Sequence, residues 1–518
     1  MHSDLTTYDA VIVGGGHNGL VAACYLAKAK KKVLLLESNE SLGGATASIQ
    51  LFPDYEAYLS RYSYLVSLLP DQIVKDLGIQ FTTLPRAIAS YTPGKDENGD
   101  FGLLIASEWD KQTADSFRRL TGSDKEGFAW RSFYEEVARL AQRLAPSLLK
   151  PLRRASDIRS EVALPGIWQE LIETPIGEVI ENRFQNDLVR GVALTDALIG
   201  TFASDKDFNA NACFLYHLIG NGTGQWRVPE GGMGQLIGEL ERIAISLGVT
   251  IHRRSKVTEI ESGSNGIAVR TESGQRFCGR NLVFAAAPQL LANLLNQKEP
   301  ESLPGSQLKI NMLVSELPKL KSGVDPELAF AGTLHINESF LQLRNAFGVA
   351  QQGNLPDPLP LEIYCHTLAD QSILSDELSK EGFHTLTLFA LHTPHNLFTE
   401  NPSEAKSRAT DLALKSLNEY LLDPIESVLA PCGENEFAME VMTPLDLQSE
   451  VGLPRGNIFH NQLSFPFLLE GEEAIGKAKW GVATEDPHIV IGGAGARRGG
   501  GVSGIAGHNA AMAILEAN

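Results

Sequence analysis

The sequence predicts an α/β protein in which one sheet is assembled from three separated parts of the chain. A glycine-rich turn lies between a short strand and a helix within residues 1–85. Short strands separated by Gly, Ser and Asn turns follow in 226–300, and a strand, a glycine-dense loop and a closing helix occupy 440–518. The intervening segments, 86–225 and 301–439, carry no such motif, and we expect them to form an inserted α+β substrate or cap domain.

The strongest motif lies in the first 37 residues. The apolar run Tyr8–Val13 predicts a buried strand, Leu20–Ala27 predicts a helix, and Lys32–Leu36 predicts a second strand. Between the first strand and the helix, a G-x-G-x-x-G pattern is formed by Gly14, Gly16 and Gly19. This order is typical of the Rossmann-like βαβ unit, in which the helix N-terminus faces the phosphates of a dinucleotide.

The residues after the second strand favour FAD over a nicotinamide cofactor. Glu37 ends that strand, where its carboxylate would accept hydrogen bonds from ribose hydroxyls and would repel a 2′-phosphate. An acid followed at this spacing by a glycine pair, here Gly43-Gly44, resembles the FAD enzymes of the glutathione-reductase and amine-oxidase type. The basic residue usual after that pair is missing, because Ala45 and Thr46 stand there.

The other two parts of the predicted sheet are marked by glycine as well. Pro229–Gly234 is a turn before the predicted helix Leu236–Leu247, and short strands are predicted at 249–252, 255–260, 267–270 and 281–284. His488–Ile491 predicts a buried strand, and eight glycines fall within 492–507 before the helix Ile505–Glu516. Such glycine density indicates that backbone approaches a ligand closely, and a strand–loop–helix here would aim N–H groups at a flavin.

Charge and cysteine content exclude several classes of function. The chain of 518 residues has 44 Lys and Arg against 63 Asp and Glu, a net charge of −19, which disfavours nucleic acid as a partner. Its five cysteines are dispersed without a C-x-x-C pair, so neither a dithiol centre nor a metal site is predicted. We expect a cytoplasmic protein, because no signal peptide and no run of 18 apolar residues is found. The sequence leaves the oligomeric state open.

One segment, 139–154, has the pattern of a membrane-surface helix. Its basic residues are Arg139, Arg143, Lys150, Arg153 and Arg154, and its apolar residues are Leu140, Leu144, Leu148, Leu149 and Leu152. Basic amphipathic stretches bind bilayer surfaces, which would place the protein at one membrane face. A helix whose leucines face the core and whose basic side is solvated explains the same pattern, and Pro146 and Pro151 interrupt the helix.

Motifs at both ends and in the middle of the chain resemble one family. Besides the N-terminal unit and the turn at 229–234, they are Ser60–Leu69, Thr443–Asp446, Gly456–His460, Gly493–Ala496 and Gly499–Gly504. Together they resemble the phytoene desaturase-like flavoproteins, which include carotenoid desaturases, carotenoid isomerase and retinol saturase. The pattern most resembles the branch of pyridine nucleotide-disulfide oxidoreductase domain-containing protein 2. It is thin through 86–225 and 315–435, where substrate would be recognised.

The resemblance implies the fold, the cofactor and several contacts. It implies a split Rossmann-like FAD-binding domain with an inserted substrate domain, as in the amine oxidase and phytoene desaturase architecture. It also implies backbone contact to adenine from Val257 and flavin contacts from the C-terminal loop. The residues that it assigns to FAD, besides the glycines and Glu37 of the first unit, are Arg61, Val257, Gly495, Val502 and Gly504.

Two arginines depart from the family pattern. Many relatives have His-Pro between the two halves of the C-terminal loop, whereas this chain has Arg497-Arg498. Cations there would oppose a carbocation-like transition state and would suit an anionic substrate or the phosphates of the cofactor. Pairing with nearby carboxylates is the alternative, which the excess of acids makes easy.

Lys309 is the other candidate catalytic residue. It interrupts an otherwise apolar predicted strand, Gln307–Val314. In flavoproteins that resemble the amine oxidases, a lysine on the corresponding strand holds a water against flavin N5. The alternative is an outward-facing lysine on an edge strand.

These patterns predict an FAD-dependent oxidoreductase that transfers hydride between a substrate C–H bond and flavin N5. The expected substrate is a small molecule, either an isoprenoid or lipid or an anion. Two alternatives remain open: an amine or amino-acid oxidase, and a catalytically silent flavoprotein that acts as a regulator or interaction partner.

Overall fold

The computed structural model describes residues 7–66, 68–97, 99–222, 224–434 and 436–517. Ser67, which lies in one of the family-like segments, is outside the described residues. The strands are β1 (Thr7–Val13), β2 (Val33–Leu36), β3 (Ser48–Gln50), β4 (Tyr58–Ser60), β5 (Thr83–Pro85), β6 (Ile88–Asp96), β7 (Gly99–Ala106), β8 (Arg227–Pro229), β9 (Thr250–His252), β10 (Val257–Gly263), β11 (Gly266–Thr271), β12 (Arg276–Phe284), β13 (Leu308–Val314), β14 (Thr333–Ile336), β15 (Leu361–Cys365), β16 (His384–Ala390), β17 (Pro431–Cys432), β18 (Glu436–Phe437), β19 (Met439–Met442) and β20 (Ile489–Ile491).

The helices include long amphipathic ones and short connecting ones. They are α1 (His17–Lys28), α2 (Asp71–Leu77), α3 (Lys111–Thr121), α4 (Lys125–Leu144), α5 (Ala155–Val162), α6 (Pro165–Trp168), α7 (Ile176–Arg183), α8 (Asp187–Thr195), α9 (Phe208–Ile219), α10 (Gly234–Ser246), α11 (Pro288–Leu294), α12 (Pro326–Phe330), α13 (Phe340–Gln351), α14 (Asp376–Glu381), α15 (Pro402–Asn418), α16 (Pro444–Val451) and α17 (Ile505–Ala517).

The first sheet is the predicted nucleotide-binding sheet, and the predicted α/β class is confirmed. Its strands run in the order β10-β11-β12-β1-β2-β9, and β20 pairs with the end of β12. The strands β12, β1, β2 and β9 are parallel to one another, so their carboxyl ends meet at one edge. The sheet therefore draws its strands from near residues 10, 270 and 490, as the sequence predicts. The exact domain boundaries stay a prediction.

The second sheet comes from the inserted segments. Its order is β19-β13-β16-β15-β14-β6-β7, and its pairs are antiparallel except β14 with β6. The strand β19 ends it, so the expected boundary at residue 440 falls within a strand of this sheet. One face is apolar and packs in a core that includes Ile310, Leu334, Ile363 and Leu388.

A helical layer from 111 to 219 forms a further core, which also includes Leu103 and Ile105 of the second sheet. In the described part of this segment, helices α3 to α9 follow one another with no strand between them. Leu140, Leu144 and Leu148 are buried in that core, and Arg153 pairs with Glu161 at 2.5 Å. These three leucines therefore face the core, as the alternative to a membrane-surface helix predicts. Membrane contact through 139–154 stays a prediction. Among the described helices, none combines the length and apolar character needed to cross a membrane.

Candidate functional site

The first glycine turn has the geometry needed for close approach of a phosphate. It joins the end of β1 to the start of α1, and Gly14 has a φ of 104° that L side chains rarely adopt. A Cβ on Gly19 would lie 2.0 Å from the carbonyl oxygen of Gly14, so only glycine lets the helix pack here. A Cβ on Gly16 would have its nearest neighbour, the Gly43 oxygen, at 3.7 Å. The helix N-terminus is therefore open on the side where a pyrophosphate would lie.

Glu37 is placed where the sequence predicts the ribose-binding acid. It follows β2 directly and is only 6% exposed. One carboxylate oxygen accepts a hydrogen bond from the Gly15 amide at 2.8 Å, and the other accepts one from the Asn39 amide at 2.8 Å. Since a carboxylate has about four lone-pair sites, these bonds fix its orientation and leave capacity for hydroxyl groups.

Two further segments meet this turn. Gly43 donates its amide to the Gly15 carbonyl at 3.0 Å, which brings the glycine pair beside the first turn. On the other side, the amide of Ser255 donates to the Glu37 carbonyl at 2.7 Å, two residues before Val257. The structure thus places Gly43 beside the first glycine turn and the segment leading to Val257 beside Glu37. The sequence analysis assigned both Gly43 and Val257 to the cofactor.

The C-terminal glycine loop closes the same edge of the sheet. A Cβ on Gly495 would lie 2.5 Å from Pro288 and 3.4 Å from the Cβ of His460. Val502 is buried, and Gly504 has a φ of 68°. The loop therefore packs against the segments that follow β12 and α16.

Several buried polar atoms around these loops have no hydrogen-bond partner among the described residues. They include Oδ1 of Asn18, Oε1 of Gln289 and Nδ1 of His460. Burial lowers the pKa of His460 to about 4, so its ring is neutral near pH 7. Because buried polar atoms are nearly always satisfied, these atoms fit a site whose ligand is polar and extended, as FAD is.

Lys309 lies inside the second sheet rather than at its edge. β13 is flanked by β19 and β16, and Lys309 is 2% exposed, so the alternative of an outward-facing lysine on an edge strand is wrong. Its ammonium donates to the carbonyls of Ser60 and Arg61 at 3.2 and 2.6 Å, and burial lowers its pKa to about 7. A role at flavin N5 stays a prediction.

The side chain of Arg61 is engaged by protein carboxylates. Its guanidinium lies 2.6 Å from Glu440 and 2.8 Å from Glu450. Asn311 links the same groups, because its amide donates to the Arg61 carbonyl at 3.2 Å and to Glu440 at 3.0 Å. Hydrogen bonding and charge from Glu440 raise the pKa of Arg61 against its desolvation. Its backbone is engaged as well, because its amide donates to the Ala47 carbonyl at 3.3 Å. The contact to FAD that the family resemblance implies for Arg61 stays a prediction.

Both arginines of the C-terminal loop are bound by protein acceptors. Arg497 pairs with Glu472 at 2.9 Å, which is the carboxylate pairing that the sequence analysis offered as the alternative. Arg498 is buried and donates to the carbonyls of Ser147, Lys150 and Trp480 at 3.1, 2.7 and 2.9 Å. Desolvation lowers the pKa of Arg498 to about 10, so it remains a cation at neutral pH. A catalytic role for either residue stays a prediction.

The sequence analysis missed a polar face on the second sheet. The register places Lys309 opposite Phe389, Phe389 opposite Glu362, and Glu362 opposite His335, so these side chains share one face. A neighbouring row on that face consists of Asn311, Thr387, Tyr364 and Thr333. The alternation Leu-Lys-Ile-Asn-Met in β13 is a signal for two unlike faces, but the partner strands lie far away in sequence.

Comparison with known proteins supports one class. Residues 12–71 match the model of an NAD(P)-binding Rossmann-like domain. An oxidoreductase of Methanosarcina mazei superposes with a TM-score of 0.56 at 14% identity, covering 98% of this chain and 99% of the other. Cyclohexylamine oxidase of Brevibacterium oxydans superposes with a TM-score of 0.55 at 14% identity, covering 99% of both chains. These likenesses show the fold.

Sequence relatives extend over the whole chain. An uncharacterised protein of Mycobacterium tuberculosis (strain H37Rv) is 44% identical over 527 residues, covering 98% of this chain and 97% of that protein. Pyridine nucleotide-disulfide oxidoreductase domain-containing protein 2 of Mus musculus is 29% identical over 562 residues, covering 98% and 93%. All-trans-retinol 13,14-reductase of Danio rerio is 22% identical over 502 residues, covering 87% and 77%.

Fold, glycine loops and relatives together define an enzyme of the FAD-dependent oxidoreductase class. Within that class, the chain belongs to the same family as the mycobacterial protein, and it is similar to pyridine nucleotide-disulfide oxidoreductase domain-containing protein 2.

Proposed function

We propose that this chain binds FAD noncovalently at the edge where the glycine loops meet, and that it transfers hydride between a substrate C–H bond and flavin N5. The observation that carries the proposal is the buried Glu37 carboxylate, held by the Gly15 amide at 2.8 Å beside the N-terminus of α1. When bound, FAD would accept or return a hydride at N5.

The chain's own residues would hold the cofactor along its length. Glu37 would accept the ribose hydroxyls, and the Val257 backbone would lie against adenine. The amides at the start of α1 would face the pyrophosphate, where the helix dipole favours negative charge. The loop with Gly495, Val502 and Gly504 would supply N–H groups to the flavin, and these favour its anionic reduced form.

The polar face of the second sheet would then form one wall of the reaction site. Lys309 donates to the carbonyls of Ser60, the last residue of β4, and of Arg61, which follows it. It is therefore held rigidly beside the segment expected to approach the flavin. A pKa of about 7 lets its amine carry or release a proton near neutral pH. Burial of this wall excludes water from the reacting atoms.

The substrate is proposed to be a small isoprenoid or lipid rather than an anion. The case for an anion rests on Arg497 and Arg498, and both guanidiniums are engaged by protein acceptors. Reoxidation would use oxygen, a quinone or another carrier, in the cytoplasm or at one membrane face. Rapid oxygen consumption with amines would instead select the amine oxidase alternative, and a flavin that no substrate class reduces would select the silent flavoprotein.

FAD binding is the first test. The purified chain should be yellow, and Glu37→Ala should weaken FAD binding by about 10- to 100-fold, because a buried hydrogen bond to a charged group contributes about 1.5–3 kcal/mol. Fluorescence titration of the FAD-free protein measures this. Glu40→Ala is the matched control, since Glu40 lies three residues on and is exposed in a salt bridge with Arg254.

Lys309→Met is titrated with FAD in the same way and should bind it normally. In a second measurement, the flavin of this variant is photoreduced, and its reoxidation should be slower than in the wild-type chain. An unchanged dissociation constant in Glu37→Ala, or no FAD in the wild-type chain, would overturn the proposed site. Retained FAD with unchanged reoxidation in Lys309→Met would remove Lys309 from the reaction and leave FAD binding intact.

A further inference from the structure

A second cluster of ligand-type side chains lies on the polar face of the second sheet. One donor atom from each of His335, Glu338 and Glu362 lies within 4.8 Å of the others. The three residues are 5%, 1% and 2% exposed. Nδ1 of His335 contacts Oε2 of Glu338, and Oε2 of Glu362 accepts from the Tyr364 hydroxyl at 2.5 Å. Neither the glycine loops nor Lys309 uses these groups.

The fold builds this cluster from two strands and a turn. His335 on β14 and Glu362 on β15 are direct cross-strand partners, so their side chains project from the same face. Asn337 has a φ of 56°, which turns the chain after β14 and brings Glu338 back toward His335. The turn is held from outside by α8, because a Cβ on Gly191 would lie 1.8 Å from the Glu338 carbonyl oxygen.

Carboxylates outnumber cations around the cluster. Asp196, which follows α8, adds a third acid whose charge acts on both glutamates, and it contacts the Tyr134 hydroxyl at 2.9 Å and His217 at 3.0 Å. The nearby fixed cation is Arg86, whose charge acts on His335. Two buried glutamates and the half-buried Asp196 near one guanidinium leave an excess of acidic groups, which must be neutralised by protons or by another cation.

One atom of the cluster has no partner among the described residues. Oε1 of Glu338 is buried and accepts no hydrogen bond from these residues, and the residue as a whole is only 1% exposed to solvent. In the metal-free protein, desolvation raises the pKa of Glu338 well above its usual value and that of Glu362 to about 8, and it lowers the pKa of His335. An imidazole kept neutral is the form that binds metal.

We propose that His335, Glu338 and Glu362 bind a divalent cation of the Zn²⁺ or Mn²⁺ type. One imidazole nitrogen and two carboxylates are a ligand set that such ions accept, with open positions left for water or a ligand. A charge of +2 would offset the excess of acids and give Glu338 Oε1 a partner. The sequence analysis predicted no metal because its ligands come from two strands and a turn rather than from one local motif.

Metal binding should depend on pH in a defined direction. The ion competes with protons for the imidazole and the two carboxylates, so its affinity should rise with pH. Of the other titratable groups here, His217 and Tyr134 contact Asp196, and Tyr364 donates to Glu362.

The experiment uses the FAD-loaded full-length chain. Bound metal is removed with dipicolinate, and Mn²⁺ alone is titrated at pH 7 and pH 8.5 while EPR counts the free ion; as-purified metal content is measured by plasma mass spectrometry. We expect one site, with tighter binding at pH 8.5. Glu338→Gln and Glu362→Gln should each weaken it by at least about 100-fold. Glu126→Gln is the matched control, because Glu126 is a buried carboxylate that accepts from the Gln185 amide at 2.9 Å.

FAD absorbance at each step separates this proposal from the proposed function. Variants that keep FAD and lose Mn²⁺ binding support the metal site. Wild-type protein that keeps FAD but binds no Mn²⁺ at either pH overturns the proposed metal site. The acids of the cluster would then be neutralised by protons. Binding that survives both glutamine variants also overturns it, since the ion then lies elsewhere. If one variant fails to keep FAD, the other variant decides.

Discussion

Lys309 places a positive charge inside a sheet, where its ammonium donates to two backbone carbonyls. Burial lowers its pKa in the folded chain to about 7 from a reference value of 10.5. Between these values the unfolded chain binds a proton that the folded chain does not. The free energy of unfolding should therefore rise with pH between about 7 and 10, by at most about 1.4 kcal/mol per pH unit.

The test compares urea unfolding of the wild-type chain and Lys309→Met at pH 7, 8 and 9. The stability of the wild-type chain relative to the variant should grow with pH. Lys321→Met is the control, because Lys321 is exposed and also donates to two carbonyls, those of Asn418 and Glu419. A difference between wild type and Lys309→Met that stays constant with pH would mean that the amine remains charged when folded.

Single residues differ in how far the sequence predicts them. Glu37 is found correctly at the end of β2 because its position follows from a local strand–turn–helix–strand pattern. The burial of Lys309 is not local information, since it depends on β16 and β19, which lie about 80 and 130 residues away. The guanidinium of Arg498 donates to three backbone carbonyls, one of them that of Ser147. Every residue has a backbone carbonyl, so the pattern of charged residues cannot predict this contact.

At the scale of elements, Gly191 lets helix α8 pack closely against the backbone of the turn after β14. A Cβ on Gly191 would lie 1.8 Å from the Glu338 oxygen and 2.7 Å from the Cα of Ser339. Both contacts are backbone, so neither can move aside easily. Gly191→Ala should therefore destabilise the protein by about 2–4 kcal/mol, even though alanine is the better helix former. Urea or thermal unfolding measures the loss.

Gly238 offers the control for that substitution. It also lies inside a helix, α10, but a Cβ there would meet nothing within 4 Å. Gly238→Ala should stabilise the chain by up to about 1 kcal/mol through helix propensity. If Gly191→Ala is as harmless as Gly238→Ala, α8 is free to shift, and the turn at Glu338 is not held by it.

Helices and strands that are defined by a local sequence pattern are predicted well. The pairing between strands that are distant in the sequence is not. The strands β1, β2 and β20 and the helices α1, α10 and α17 lie within a few residues of their predicted positions. Each has its own local apolar pattern, bounded by glycine or by charged residues. The polar face of the second sheet arises from register between β13, β14, β15 and β16. Alternation predicts that a strand has two faces but does not say what covers each one.

For the whole molecule, the glycine loops join segments that are distant in the chain. The first turn at Gly14–Gly19, the glycine pair at 43–44 and the C-terminal loop at 492–507 lie at the same edge of the first sheet, since they follow β1, β2 and β20. A ligand that spans this edge would stabilise all three loops together, because binding only to the folded state adds to the stability of every part it links.

Hydrogen exchange should show this coupling. At 100 times the dissociation constant, FAD adds about 2.7 kcal/mol to the folded state, which corresponds to about 100-fold slower exchange for amides that open only by global unfolding. We expect slowing at all three loops when FAD is added to the FAD-free chain, and none when NAD⁺ is added at the same concentration, because Glu37 and the glycine pair favour FAD. Slowing in Glu37→Ala should require a proportionally higher FAD concentration. Protection confined to the first 50 residues would contradict a site built from both ends of the chain, and equal protection by NAD⁺ would assign the motif to the nicotinamide cofactor.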